Sequence, residues 1–142
     1  GLVQLKKLTF NLNKRQNNFN THTKFFKKYT KYFILPKQLP GSKSGWLAYP
    51  ITIKNNVPFT RTEMQIFLEK RNIQTRVVFT GNILRQPGFK NLKNKKSKIE
   101  YPEADKVMRN GILIACHHGL NDKMINHIHQ SIDKFIYSKE KN

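Results

Sequence analysis

Residues 2–30 constrain the fold more than any other stretch of this chain. Leu5, Leu8, Leu12, Phe19, Phe26 and Tyr29 recur at steps of three and four residues or their multiples, with Lys and Asn on the other face. That spacing predicts one long amphipathic helix over 2–30. A chain of 142 residues holds one domain with one modest core. The small sheet its remainder can build is too short to cover such a helix. Part of the apolar flank is therefore left for another domain or another subunit.

The rest of the chain, about 32–138, reads as a sheet-and-helix layer. Tyr32–Leu35 is a short strand ended by Pro36, and Gln38–Gly45 has loop composition. Trp46–Lys54 is a strand in which Pro50 predicts an edge position or a bulge. Thr60-Arg61-Thr62-Glu63 is a capping box opening a helix to about Arg71 that buries Met64, Phe67 and Leu68. Ile73–Thr80 is a strand with a Gly81-Asn82 turn after it. Lys90–Lys98 holds five lysines and reads as an exposed, mobile loop. Glu103–Asn110 is a short helix stopped by Gly111, and Ile112–Cys116 is a buried strand. Asn121 or Asp122 caps a last helix with Met124, Ile125, Ile128, Ile132, Phe135 and Ile136 at helical spacing. The order of elements predicts an α/β or α+β layer, a small sheet with helices packed against it.

Composition narrows the function less than it first promises. Twenty-seven Lys and Arg against eight Asp and Glu give +19 and a pI near 10.3, which admits a nucleic-acid or anionic-surface partner. Yet 21 of these cations are Lys, spread along the chain beside 15 Asn. Phosphate and base readers favour the forked Arg side chain, and a joint Lys and Asn excess accompanies A/T-rich coding sequence. A basic binding module thus stays open as an alternative, and predicts affinity that falls steeply with salt. No apolar run approaches the ~20 residues of a membrane span. Charge interrupts the opening residues too early for a signal-peptide core. The single Cys116 excludes an intrachain disulfide and a Cys-only metal site, and fits a reducing, cytoplasmic setting.

Self-contained catalytic sets are missing. No Gly-rich phosphate loop, GxSxG elbow or HExxH is present. His127 and His129 lie two apart on a predicted helix and point too far apart to share an ion. Cys116 and His117, adjacent on a strand, face opposite ways, which argues against a Cys nucleophile. His117 at the end of a buried strand is the best placed of the histidines, with a local structural role as its plain reading. The densest polar stretch is Thr75–Pro87, where Arg76, Asn82, Arg85 and Gln86 gather around one strand end. Two guanidiniums and two amides there suit phosphate or sugar hydroxyls, and equally suit a solvated turn.

Several segments resemble one family. Gly1-Leu2-Val3-Gln4-Leu5-Lys6-Lys7-Leu8 is similar to the opening of the C-terminal domain of the DegT/DnrJ/EryC1/StrS family, pyridoxal-phosphate-dependent enzymes of nucleotide-linked keto-sugars. Ser44-Gly45-Trp46-Leu47-Ala48-Tyr49-Pro50-Ile51 resembles the family's strand after its variable loop. Ile73-Gln74-Thr75-Arg76 with Thr80-Gly81-Asn82-Ile83-Leu84-Arg85-Gln86-Pro87 resembles the lipopolysaccharide 3-dehydrase branch, as do Asp105–Gly111 and His117-His118-Gly119-Leu120.

The resemblance implies the small C-terminal domain (residues 1–142) of an aspartate-aminotransferase-like, fold type I enzyme that works as a homodimer. The large domain, absent from this chain, would carry the phosphate site for PLP or PMP, the Asp at the pyridine nitrogen, and the catalytic Lys or His. Any iron-sulfur cluster would lie there too. Lys at that position implies amino transfer, and His implies loss of the C3 hydroxyl of a nucleotide-linked 4-keto-6-deoxy sugar. Arg76, Asn82, Arg85 and Gln86 would then shape the sugar-nucleotide pocket, with Trp46 as a wall and His117 lining it. No catalytic residue and no metal ligand is expected in this chain, which alone is expected to be inactive. A pseudo-enzyme subunit that scaffolds a complete homologue is a further alternative.

Overall fold

Strands β1 (Phe33–Ile34), β2 (Ala48–Ile53), β3 (Thr75–Val77) and β4 (Gly111–Ala115) form one sheet in the order β1-β2-β4-β3. Every neighbouring pair is antiparallel, so the layer is α+β. The computed structural model describes residues 1–79, 81–89 and 101–141. The expected Lys90–Lys98 loop lies outside the described residues.

Alternation along the strands sorts the two faces. Tyr49, Ile51, Ile53, Ile112 and Ile114 are buried, while Ala48, Pro50, Thr52, Leu113 and Ala115 between them are half-buried. Pro50 sits in β2, which lies between β1 and β4, and the register explains its tolerance there. Cys116 donates its N–H to Leu47 O at 3.2 Å, so by alternation Pro50 and Leu113 form a pair without mutual hydrogen bonds. The missing Pro50 donor therefore faces the β1 side, and β1 reaches only Thr52 and Ile53. Pro50 is locally at an edge.

Helices α1 (Leu2–Lys6) and α2 (Leu8–Phe26) replace the single expected helix, with a break at Lys7 and a 3-10 turn over Lys27–Tyr29. Phe19 and Phe26, in the second half of α2, join the core. Leu2, Val3, Leu5 and Phe10 remain 63–79% exposed, as the length argument requires. The buried stripe also contains His22 and two asparagines, Asn11 and Asn18, that the spacing places outward. For Asn18 and His22 the hydrogen bonds described below account for the burial.

Helix α3 (Arg61–Glu69) starts at the expected capping box. Thr60 Oγ1 accepts from Glu63 N at 3.2 Å, and Glu63 Oε2 accepts from Thr60 N at 2.7 Å. Thr60→Ala is expected to lower stability by about 1 kcal/mol, read as a lower urea midpoint at unchanged slope. Met64 and Leu68 are buried but Phe67 is only half-buried, at the rim against Phe135. The helix ends two residues before Arg71, because Asn72 adopts φ 58 and Ile73 N turns back to Leu68 O at 3.0 Å.

Three strands are shorter than their composition suggests. The first keeps only Phe33 and Ile34 of Tyr32–Leu35, and the second keeps Ala48–Ile53 of Trp46–Lys54. The third stops at Val77, since Phe79 takes φ 45 and donates its N–H back to Val77 O. Thr80 is outside the described residues.

Helix α4 (Pro102–Asn110) ends at Gly111, although Gly111 has φ −76 and makes no left-handed turn. Its role is steric, as a Cβ there would meet Val107 O at 2.6 Å. Helix α5 (Asp122–Glu140) is capped by Asn121, whose Oδ1 accepts from Met124 N at 2.9 Å. Ile125, Ile128, Ile132, Phe135 and Ile136 bury its inner face, whereas Met124 is half exposed. Together α2, α3, α5 and the inner sheet face enclose an aromatic core of Phe26, Phe33, Tyr49, Phe59 and Phe135.

Candidate functional site

β4 delivers His117 to the end of the sheet, and β3 lies antiparallel beside it with Arg76 opposite Leu113. Both side chains line a cavity of about 810 Å³ between the outer sheet face and the start of α5. Its floor is apolar (Leu47, Leu113, Ala115, Met124), and Lys123 and His127 complete its basic rim. No Asp or Glu is among its described lining residues. An apolar floor with a cationic rim suits a ligand that carries both an anionic group and a ring or alkyl face.

The other expected site residues lie elsewhere. Asn82 is buried, accepts from Leu84 N at 3.0 Å and donates to Asp105 Oδ1 at 2.9 Å. Arg85 grips the same carboxylate with both prongs, Nε to Oδ1 at 3.1 Å and Nη2 to Oδ2 at 2.8 Å. These bonds hold the Asp105 carboxyl well below its usual range, at about 2. They also pin the segment 82–89 to α4. Gln86, half-buried, closes the 3-10 turn Ile83–Arg85 through its N–H to Ile83 O at 3.0 Å. Trp46 stacks on Phe19 at 4.1 Å and donates to Gln38 Oε1 at 3.0 Å, so it is a wall of the core and of the 38–45 loop. Arg76 and His117 are brought together; Asn82 and Arg85 meet at Asp105 instead.

The turn that carries His117 is fastened to α2. His22, Asn18 and Arg15 lie on one face of that helix, spaced by four and three residues. His22 Nε2–H donates to Ala115 O at 3.0 Å, which leaves its Nδ1 to accept from His129 Nε2–H at 2.9 Å. Burial pushes both imidazoles down to about 4. Asn18 Nδ2 donates to His117 O at 2.9 Å, and the Arg15 guanidinium reaches His118 Nδ1 at 3.3 Å. Sequence reading missed this stripe; its one visible signal is polar residues recurring at helical spacing. Cys116, facing the core, has its thiol pushed up to about 12 by burial, which suits an inert packing residue. His127 donates to Arg71 O at 2.9 Å, away from His129. Among the described residues no three His, Cys, Asp or Glu gather as a metal site, and no helix is long and apolar enough to cross a membrane.

The family model described as the DegT/DnrJ/EryC1/StrS aminotransferase family matches residues 1–133. The chain belongs to this family. Among curated members, it is 29% identical to the lipopolysaccharide biosynthesis protein RfbH of Salmonella typhimurium, over 96% of this chain and 31% of that protein. It is 34% identical to the dTDP-4-dehydro-2,6-dideoxy-D-glucose 3-dehydratase of Saccharopolyspora spinosa, over 72% of this chain and 22% of that one. Helicobacter pylori PseC, an aminotransferase involved in pseudoaminic acid biosynthesis, superimposes with TM-score 0.81 at 27% identity over 96% of this chain and 36% of its own. The E. coli GDP-4-keto-6-deoxy-D-mannose-3-dehydratase, solved with bound hydrated PLP, shares the fold with TM-score 0.80 at 21% identity, over 92% of this chain and 33% of its own. The chain thus spans about a third or less of the curated relatives it matches.

PLP needs an acidic partner for its pyridine nitrogen and a base at its reacting carbon. The cavity offers no carboxylate among its described residues, so the residues present do not by themselves fit the cofactor.

Proposed function

We propose that this chain is the small domain of a longer, cytoplasmic enzyme that removes the C3 hydroxyl from, or transfers an amino group to, a nucleotide-linked 4-keto-6-deoxy sugar. The product would serve lipopolysaccharide or deoxysugar synthesis. The observation that carries the reading is the family match over residues 1–133 in a chain about a third the length of its relatives. The large domain would supply PLP or PMP and its catalytic Lys or His. The exposed Leu2, Val3, Leu5 and Phe10 would pack against that domain or a second subunit. In the homodimer, Arg76 and His117 would face the nucleotide sugar.

Two measurements test this. Reading the coding frame upstream of Gly1 should reveal the catalytic domain, with Lys marking an aminotransferase and His a dehydratase; a stop codon close upstream would sink the reading. In the longer enzyme, Arg76→Ala should raise KM for the nucleotide sugar about 10-fold or more with kcat little changed, the loss expected of one charge-assisted hydrogen bond. An unchanged KM would remove Arg76 from the pocket.

A further inference from the structure

Asn18 is an anomaly that the fold alone does not require. Its side chain is fully buried on α2, and its Oδ1 has no hydrogen-bond partner among the described residues. A buried amide with one end unsatisfied is a cost that a Leu of similar size would avoid. The amide cannot be turned round to satisfy its oxygen, because both groups it meets are acceptors. Nδ2 lies 2.9 Å from His117 O and 3.5 Å from Cys116 O, and a flipped amide would set Oδ1 against both carbonyls. The one contact Asn18 makes well is thus with the backbone of the residue that lines the cavity.

His117 is held at one further point, and its neighbour at another. Its Nδ1 accepts from Gly119 N–H at 3.1 Å, so the neutral ring carries its proton on Nε2. Gly119 allows that closure, since a Cβ there would lie 3.1 Å from the same Nδ1. Arg15 holds the next residue, His118, from the same helix face. With the carbonyl fixed by Asn18 and Nδ1 fixed by Gly119, the remaining donor, Nε2–H, has a defined place on the cavity wall.

We infer that Asn18 is a positioning residue for His117: it fixes the backbone of the 116–117 turn so that the imidazole Nε2–H is presented to a ligand oxygen in the cavity. The inference deepens the reading above and rests on it for the identity of the ligand, though not for the geometry. Asn18 touches no ligand itself and acts through His117.

The test has two arms. In the 142-residue chain labelled with 15N-histidine, at pH 8, His117 should show one fixed Nε2–H tautomer. Asn18→Leu should convert it to an exchanging mixture, while the His22 and His129 signals stay in place. A His117 tautomer unaffected by Asn18→Leu overturns the inference. In the longer enzyme, Asn18→Leu should raise KM for the nucleotide sugar several-fold, and that rise should vanish in a His117→Ala background, because the two act as one unit. Additive effects overturn the positioning role. His117→Ala that leaves KM unchanged overturns instead the placing of His117 in the pocket. If Asn18→Leu does not fold, Asn18→Ser, which keeps one hydroxyl donor for His117 O, should show a smaller change of the same kind in both arms. Failure of Asn18→Ser to move either readout counts against the inference.

Discussion

Gly81→Ala is expected to lower the stability of this chain by about 2–5 kcal/mol, one of the two largest effects the structure predicts. Two independent costs add. Gly81 adopts φ 64, a left-handed conformation that an L side chain reaches at about 1–2 kcal/mol. A Cβ there would also lie 2.1 Å from Met108 Cβ and 2.6 Å from Met108 Cα, so the backbone of α4 itself would have to move. Overpacking of that kind costs about 1–3 kcal/mol. Gly41 separates the two terms, because it has φ 76 with nothing within 4 Å of the place a methyl group would take. Gly41→Ala should therefore cost only the conformational part. Urea midpoints of the two variants, compared at equal slope, decide the matter. Equal losses would show that the approach to Met108 carries no energy. A larger loss at Gly81 would show that the turn after β3 must lie flat on α4. Only then can Asn82 and Arg85 reach Asp105, one helical turn before Met108.

That hub shows where sequence reading ends. The last helix, the Thr60 cap and the four strands were legible because each is written in neighbouring residues: spacing, a capping box, β-branched runs. Leu5 and Leu8 were legible as apolar and also as too many for the sheet, and they remain exposed. The grouping of site residues was not legible in the same way. Arg76 and His117 share a cavity only because β3 pairs with β4, a contact that spans about forty residues and leaves no local trace. Arg85 reads as a surface cation until Asp105, buried on a distant helix, is seen to receive both its prongs. Asn18 reads as solvent-facing because hydropathy counts it polar, and spacing alone leaves His22 unplaced. Their placement inside depends on the carbonyls of Ala115, Cys116 and His117, which end a strand about a hundred residues away. Family resemblance supplied the fold, but it did not distinguish residues that share the cavity from residues that hold a turn.

The buried histidine pair gives the second large effect, a loss of stability on mild acidification. His22 and His129 are each held neutral in the fold, down to about 4 rather than 6.5. Burial is the main cause for both. Ala115 O partly opposes it at His22, and at His129 the His22 ring and Lys28 add to it while Asp133 opposes it. Above pH 6.5 the rings are neutral in the folded and unfolded chains alike. Between pH 6.5 and 4 the unfolded chain binds protons that the folded one refuses, so stability falls as pH falls. The slope approaches about 1.4 kcal/mol per pH unit for the enclosed His22, on the order of 3 kcal/mol across the window, and is smaller for His129, whose half-buried ring is screened by solvent. The depressed carboxyls of Glu63 and Asp105, each at about 2, act later, since their contribution is lost only below about pH 4.5. The hydrogen-bond chain gives a structural reason for the steepness. A proton on His22 Nδ1 would meet the N–H of His129, so that contact would be lost or the His129 proton would move to its other nitrogen, while Nε2–H still donates to Ala115 O. Urea unfolding at half-unit steps from pH 7.5 to 4.5 measures the slope. His22→Gln keeps an N–H donor for Ala115 O but does not titrate, and should remove half of the pH dependence or more. A variant with the original slope would place the acid sensitivity elsewhere, and the paired rings would then be packing groups whose charge state the fold does not feel.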